Sequence, residues 1–241
     1  MIGKKNFTIK AAVLMLALVL ITSCFVGGTF AKYVTSGSGS DTARVAKFGV
    51  TVTAHGTMFA KEYATDDQAV VGTITKSVVS SNDKDNLVAP GTKGDMAKMT
   101  LTGTPEVAVK VTYDATNKVS LGDNWKDADG KFYCPLVFKI KNADGTNTVI
   151  PGTGYNTAAL LESEIVKAIN GYSKVYGPNT NLAAQGDDSL TVSWEWPFET
   201  GKDDAEKAAN NIKDTYLGDQ AAEGNAATVS IGIVTTVTQI D

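Results

Sequence analysis

The chain has too few histidines for the commonest kinds of enzyme site. Its 241 residues contain one histidine, His55. A serine triad needs a histidine base, and zinc hydrolases usually use several histidines, often from a His-Glu-x-x-His helix that this sequence lacks. We therefore expect no enzyme activity, no metal site and no cofactor, and we interpret His55 as a polar residue at a strand end.

Cysteine is also scarce, which excludes an internal disulfide if the protein is exported. Of the two cysteines, Cys24 lies in an N-terminal apolar run and would be removed with it, leaving Cys134 alone. Cys134 sits in the apolar stretch 132–136 and is expected to be a buried, unreactive thiol. The fold must then be held together by packing.

The chain also lacks an excess of positive charge and a second long apolar run. Loss of the three lysines in residues 1–31 would take the formal charge from −4 to −7. An acidic surface argues against nucleic acid as a partner. Since no other run is long enough to span a bilayer, we expect membrane contact only through the uncleaved N-terminal segment or a lipidated Cys24.

The first 31 residues have the layout of an export signal. Three lysines stand within the first ten residues, and the apolar segment 11–26 follows. Thr29-Phe30-Ala31 then places small side chains at positions −3 and −1 of a cut before Lys32. This pattern predicts signal-peptidase cleavage after Ala31 and secretion of the mature chain.

Two other interpretations of this segment remain open. The sixteen residues 11–26 approach the roughly 17 to 25 that span a bilayer, so the segment could be a retained anchor. Gly27 and Gly28 argue against that. Ile21-Thr22-Ser23-Cys24 also has the residue types that bacterial lipoprotein processing recognises, in which case Cys24 would carry lipid and begin the mature chain.

The rest of the chain is dominated by alternating apolar and polar residues, which is typical of strands with one buried face. In the segment 190–196, alternation puts Trp194 and Trp196 on one face and Glu195 on the other, which favours a core strand over a sugar-binding site. Asp-Gly pairs at 129–130 and 144–145 indicate tight hairpin turns. The predicted strands are 45–53, 69–79, 96–101, 107–113, 132–140, 190–196 and 228–238.

Two segments interrupt this pattern and predict helices. Residues 156–170 carry apolar side chains at helical spacing and stop at Asn170-Gly171; these are Leu160, Leu161, Ile165, Val166 and Ile169. Residues 203–212 are rich in alanine and charge and predict a short surface helix. We expect a signal peptide at 1–31, an N-terminal segment at 32–46 and a single β-sandwich domain at 47–241.

Several motifs resemble those of one known family. Gly28-Thr29-Phe30-Ala31-Lys32-Tyr33-Val34-Thr35, with residues 40–48, is similar to the start of the TasA/camelysin family of exported Gram-positive proteins. Leu87-Val88-Ala89-Pro90-Gly91 and the segment 194–198 resemble further family features. The resemblance implies cleavage by a SipW-type signal peptidase and a mainly β, jelly-roll-like antiparallel sandwich with one or two helical insertions. A metallopeptidase activity described for camelysin-like relatives is not carried over, because His-Glu-x-x-His is absent.

The resemblance also implies a structural role outside the cell. Members of the family are expected to form biofilm-matrix fibres by donating an N-terminal strand to a neighbouring copy. Here the candidate donor strand is Lys32-Tyr33-Val34, followed by the Gly/Ser linker 36–40. The leading hypothesis is a self-assembling fibre subunit or accessory, and the alternative is a cell-surface lipoprotein or adhesin whose loops bind a glycan or a host protein.

Overall fold

The structure is a computed structural model that describes residues 44–54, 58–64, 78–82, 84–95, 99–188 and 190–240. Contacts group Val45–Asp241 into one compact unit. The predicted signal peptide, its cleavage residues Thr29 to Lys32, the donor strand Lys32 to Val34, Cys24 and His55 lie outside the described residues. Their assignments therefore stay predictions.

Within the described residues the chain is mainly β, with several antiparallel sheets and two α-helices, as the alternating pattern predicted. The strands are β1 (Thr51–Ala54), β2 (Glu62–Tyr63), β3 (Val79–Ser80), β4 (Lys93–Asp95), β5 (Met99–Thr102), β6 (Val109–Asp114), β7 (Val119–Leu121), β8 (Val137–Lys141), β9 (Asn147–Pro151), β10 (Ser173–Tyr176), β11 (Val192–Glu195), β12 (Val229–Ile231) and β13 (Val234–Gln239). The helices are α1 (Ala158–Asn170) and α2 (Asp204–Ala222), with short 3-10 helices at Gly152–Gly154 and Leu182–Asp188.

Two sheets contain more than two of these strands. The larger has the order β4-β11-β8-β9 and the smaller has the order β10-β6-β13. The remaining pairs are β1 with β5, β7 with β12 and β2 with β3. Strand β12 pairs with β7, and β13 pairs with β6, both antiparallel. The segment that contains β12 and β13 therefore runs antiparallel beside the segment that contains β6 and β7.

The core is built from the alternating positions of these strands. On β6, Val109, Val111 and Tyr113 are buried, whereas Lys110 and Asp114 are exposed. In the larger sheet, the buried side chains of Trp194 on β11 and Phe138 on β8 stand opposite each other. One face of β6, β8 and β11 is thus apolar and packed, which is the reason the period of two was visible in these parts of the sequence.

Helix α1 confirms the helix predicted at 156–170, starting at Ala158. Thr157 caps it, since its hydroxyl oxygen accepts a hydrogen bond from the backbone N–H of Leu160 at 3.3 Å. Leu161, Ile165 and Ile169 are fully buried. Their spacing of four residues places them on one stripe that packs on the strands.

Helix α2 is longer than the predicted segment 203–212. Asp203 caps its start by accepting a hydrogen bond from the N–H of Glu206 at 2.9 Å. The prediction of its end was wrong because Asp214 and Leu217 are buried against the body of the protein. Tertiary contact of this kind extends a helix through a residue of low propensity such as Gly218.

Other differences from the predicted strands have local causes. The segment predicted at 132–140 is a strand only from Val137, because Pro135 has no N–H to contribute to a ladder. The segment 228–238 is divided into β12 and β13 at Gly232, whose N–H donates to the carbonyl of Lys118 at 2.7 Å. Strands β2, β4, β7, β9 and β10 were not predicted.

Gly94 is predicted to be intolerant of any side chain. A Cβ at this position would lie 2.4 Å from the carbonyl oxygen of Met58 and 2.8 Å from Nε1 of Trp194. These two atoms are joined by a hydrogen bond of 2.9 Å, so neither can move away without loss. We expect Gly94→Ala to lower the free energy of unfolding by about 1 to 3 kcal/mol in urea titrations.

Gly177→Ala is the matched control, because a Cβ there meets nothing within 4 Å. Its expected change in unfolding free energy is within about 0.5 kcal/mol. An equal loss of stability in the two variants would contradict the packing described for Gly94.

Candidate functional site: the outer edge of strand β9

Strand β9 is an outer strand of the larger sheet, and its hydrogen bonds show which backbone groups it leaves unpaired. The N–H of Gly152 donates to the carbonyl of Leu136 at 2.8 Å, and the N–H of Asn142 donates to the carbonyl of Thr146 at 2.7 Å. In this register the even-numbered residues bond to β8. Because successive residues of a strand direct their N–H and C=O to opposite sides, the backbone groups of Asn147, Val149 and Pro151 point away from the sheet.

This outward side of β9 is suited to pairing with another strand. Among the described residues, no strand pairs with it. Val149 is 54% exposed at the centre of the strand, and the five residues carry no charge. Charged residues and prolines on an edge strand normally discourage pairing between molecules. Strand β9 has no charged residue, and Pro151, which lacks an N–H, is its one residue of this kind.

A second exposed valine serves as a reference for β9. The N–H of Ile240 donates to the carbonyl of Ala108 at 3.0 Å. In this register the backbone N–H and C=O groups of the even-numbered residues of β6 point to β13, and those of its odd-numbered residues point to β10. The register of β10 with β6 then directs the backbone of Val175 outward. Val175 is 54% exposed, the same fraction as Val149.

The tryptophan pair lies in the core, as the alternation predicted. Trp194 is 1% and Trp196 is 5% exposed, whereas Glu195 faces outward and its carboxylate lies 2.9 Å from Nζ of Lys139. A groove of about 360 Å³ on this outer face is lined by the charged side chains of Lys93, Asp95, Lys139 and Glu195. With both indole rings buried, strand β11 offers no aromatic surface on which a sugar could stack.

Cys134 has the environment that was predicted for it. The residue is fully buried, and burial raises the pKa of its thiol to about 12. A thiol in an apolar site with a raised pKa holds almost no thiolate at neutral pH. Cys134 therefore acts as a small apolar side chain.

The acidic turn residues serve the backbone of their own turns. The pKa values of Asp114 and Asp144 are lowered because each carboxylate accepts hydrogen bonds from the hydroxyl and the N–H of a threonine two residues later, at 2.6 and 3.2 Å for Thr116 and 2.6 and 2.9 Å for Thr146. Asp127 accepts from the N–H groups of its own loop in the same way. In the part of the chain that the structure describes, no three acidic, histidine or cysteine side chains are grouped so as to hold a metal ion.

The helices bear on the question of membrane contact. Neither α1 nor α2, the α-helices of the described ranges, has the length and apolar character needed to cross a bilayer.

The β9 edge was missed in the sequence, although one signal pointed to it. The predicted hairpin turn at 144–145 required a strand on each side, and only the strand before it was assigned. Gly145 does adopt a positive φ of 86° in that turn. Thr148 and Ile150 alternate with Val149 directly after it, so the turn chemistry together with this alternation could have located β9.

The structure thus defines a mainly β unit with several antiparallel sheets, in which the edge at β9 is open among the described residues and carries no charge. Comparisons of the chain with protein-family models, with curated proteins and with solved structures found no match. The assignment to the TasA/camelysin family stays a hypothesis that rests on the sequence motifs.

Cys134 is predicted to be unreactive in the folded chain. In a Cys24→Ser variant, the raised pKa and the burial of Cys134 should make alkylation near pH 8 about a thousandfold slower than in the unfolded chain. Mass spectrometry after iodoacetamide treatment, with and without urea, measures both rates. Labelling of the folded chain at a rate similar to that in urea would show that the thiol is accessible.

Proposed function

We propose that this protein is an exported, non-enzymatic structural subunit, a biofilm-matrix fibre subunit or accessory, in which the N-terminal strand of one copy adds to the β9 edge of the next. The uncharged, outward-facing backbone of β9 is the observation that supports this proposal most directly. The motifs shared with the TasA/camelysin family support export and the donor strand. The two larger sheets would be the layers of a jelly-roll-like sandwich.

The proposed donor and acceptor match in length and chemistry. Lys32-Tyr33-Val34 is short, and so is the five-residue strand β9. On the outward side of β9, Asn147 and Val149 each offer an N–H and a C=O, while Pro151 offers only a C=O. A short donor strand is therefore sufficient to form hydrogen bonds with these groups. In an added strand, alternation would put Lys32 and Val34 on one face of the sheet and Tyr33 on the other.

Cleavage after Ala31 would be the step that permits assembly. Until a SipW-type signal peptidase acts, 31 residues precede the donor strand. After cleavage the strand is terminal and is connected through the linker 36–40, whose glycines and serines make it flexible. The released protein would then be located in the extracellular matrix or at the cell surface, with further copies of itself as partners.

The alternative function rests on Ile21-Thr22-Ser23-Cys24. If lipoprotein processing acts at this site, Cys24 carries lipid and the protein is a tethered surface module or adhesin. Its N-terminal strand would then be held at the membrane. The two functions are distinguished by the first residue of the mature chain and by its state of assembly.

Removing either partner of the proposed strand pairing is expected to prevent assembly. In a chain that begins at Lys32, deletion of residues 32–34 removes the donor, and Val149→Pro removes the central outward N–H of the acceptor. Sedimentation velocity should show high-mass assemblies for the parent chain and about tenfold less of them for each variant, since ladder hydrogen bonds provide much of the affinity in strand addition.

Val175→Pro is the matched control, because Val175 has the same exposure and also directs its backbone outward at a sheet edge. It should assemble like the parent chain. Thermal unfolding of each variant tests whether the monomer is intact. Assembly that withstands both the deletion and Val149→Pro would refute strand addition at β9, and equal loss with Val175→Pro would show a general effect on folding.

Assembly is also expected to depend on salt. The mature chain carries a formal charge of −7, compared with −4 for the full sequence, so copies repel one another while the uncharged β9 edge contributes no attraction between ions. Added sodium chloride shortens the Debye length to about 10 Å near 0.1 M and screens this repulsion. Light scattering should therefore show a lower critical concentration as salt is raised, and a higher one would indicate that attraction between charges drives assembly.

A further inference from the structure

Helix α2 is attached to the body of the protein by few buried contacts. Of its nineteen residues, Asp214 and Leu217 are buried. The other attachments are polar and lie nearer the surface. The side-chain amide of Asn210 donates to the carbonyl of Thr200 at 2.9 Å, and Nζ of Lys207 lies 3.7 Å from the carboxylate of Glu199.

The buried carboxyl of Asp214 is the unusual member of this set. The hydroxyl of Tyr133 donates to its Oδ1 at 2.8 Å. Burial raises the pKa of Asp214, an effect that the Tyr133 hydroxyl and the indole of Trp196 partly offset. The Nε1 of Trp196 is itself buried and completes no hydrogen bond within the described part of the chain, so its N–H stabilises the carboxylate only as a nearby dipole. An ionised Asp214 therefore has one hydrogen bond where a buried carboxylate needs several.

The side chains next to Asp214 do not account for a change of charge at this contact, which leaves the carboxyl of Asp214. Burial and the neighbouring Asp214 raise the pKa of Tyr133 far above neutrality, so Tyr133 remains a donor throughout the physiological range. Nζ of Lys213 lies 5.0 Å from the centroid of the Tyr133 ring, where its charge is held by a cation–π contact. The Thr200 hydroxyl, which acts on Tyr133, has no charge to change.

Both ends of α2 are suited to movement of the helix as a unit. Gly201 precedes it with a φ of +143°, and Gly224 follows it with a φ of +90°. A Cβ at Gly201 would lie 2.6 Å from the backbone nitrogen of Lys207, so only glycine allows the chain to enter the helix this closely. The Asp203 cap belongs to the helix itself and remains with it when the helix moves.

We propose that α2 is a proton-linked latch, fastened over Tyr133 and Trp196 when Asp214 is protonated and loosened when Asp214 is ionised. This follows from the sign of the linkage. A carboxyl whose pKa is higher in the docked state than in the undocked state binds its proton more tightly when docked. The stabilisation from docking is complete below the ordinary aspartate pKa and is lost as the pH rises through the raised pKa of Asp214. The latch does not depend on the proposed function.

Amide hydrogen exchange of the whole mature chain tests the latch. Protection factors, which already correct for the intrinsic effect of pH, are compared for α2 and α1 between about pH 4 and about pH 8. We expect α2 protection to fall by about tenfold over this range, while α1 protection stays constant. Asp214→Asn should keep the acceptor for Tyr133, remove the charge and abolish the fall.

Two further variants make the outcome specific. Asp219→Asn changes an exposed carboxylate of the same helix and should retain the fall seen in the parent chain. Tyr133→Phe removes the hydrogen bond that offsets burial, so it should raise the pKa of Asp214 further and move the fall to higher pH. Constant or rising α2 protection in the parent chain would overturn the proposal, as would loss of the fall in Asp219→Asn. If Asp214→Asn does not fold, the direction of the change in Tyr133→Phe decides.

Discussion

The burial of Trp194 at the centre of the larger sheet is the interaction on which the rest of this fold depends. Its indole N–H donates to the carbonyl of Met58 at 2.9 Å. The ring centroids of Phe59 and Tyr63 lie 5.3 and 6.1 Å from the centroid of the indole ring. One side chain of β11 thus joins the sheet to a segment more than a hundred residues earlier in the chain. With Cys134 as the single cysteine of the described residues, no disulfide among them adds to this packing, so shape complementarity around the tryptophan provides the long-range order.

Sequence patterns were sufficient where burial on one face controls the structure. The alternation in β6 and β11 predicted both the type of element and its buried side. The apolar spacing in α1 predicted a helix, and of its five apolar residues Leu161, Ile165 and Ile169 are fully buried whereas Leu160 is 56% exposed. Sequence patterns were insufficient where contacts made elsewhere in the chain decide. The end of α2 depends on Asp214 meeting Tyr133, 81 positions away. The order of strands within a sheet left no local trace in the residues.

The proposed function follows from what this packing leaves uncovered. The inner faces of the larger sheets are occupied by core side chains, and the carboxylates of Asp114, Asp127 and Asp144 bond to the backbone of their own turns. Among the described residues, the β9 edge is an uncovered row of backbone groups on a strand without charge and with an exposed valine at its centre. A structural protein that acts through pairing needs such an edge and a free strand, and the N-terminal motifs supply the candidate for that strand.

The most direct test of this account is the intact mass and N-terminal sequence of the protein recovered from its native culture, with its size distribution recorded on the same sample. We expect a chain that begins at Lys32 and is recovered in high-mass assemblies. A chain that begins at acylated Cys24, one that still carries Met1, or a chain from Lys32 that remains monomeric at all concentrations would contradict assembly through a released N-terminal strand.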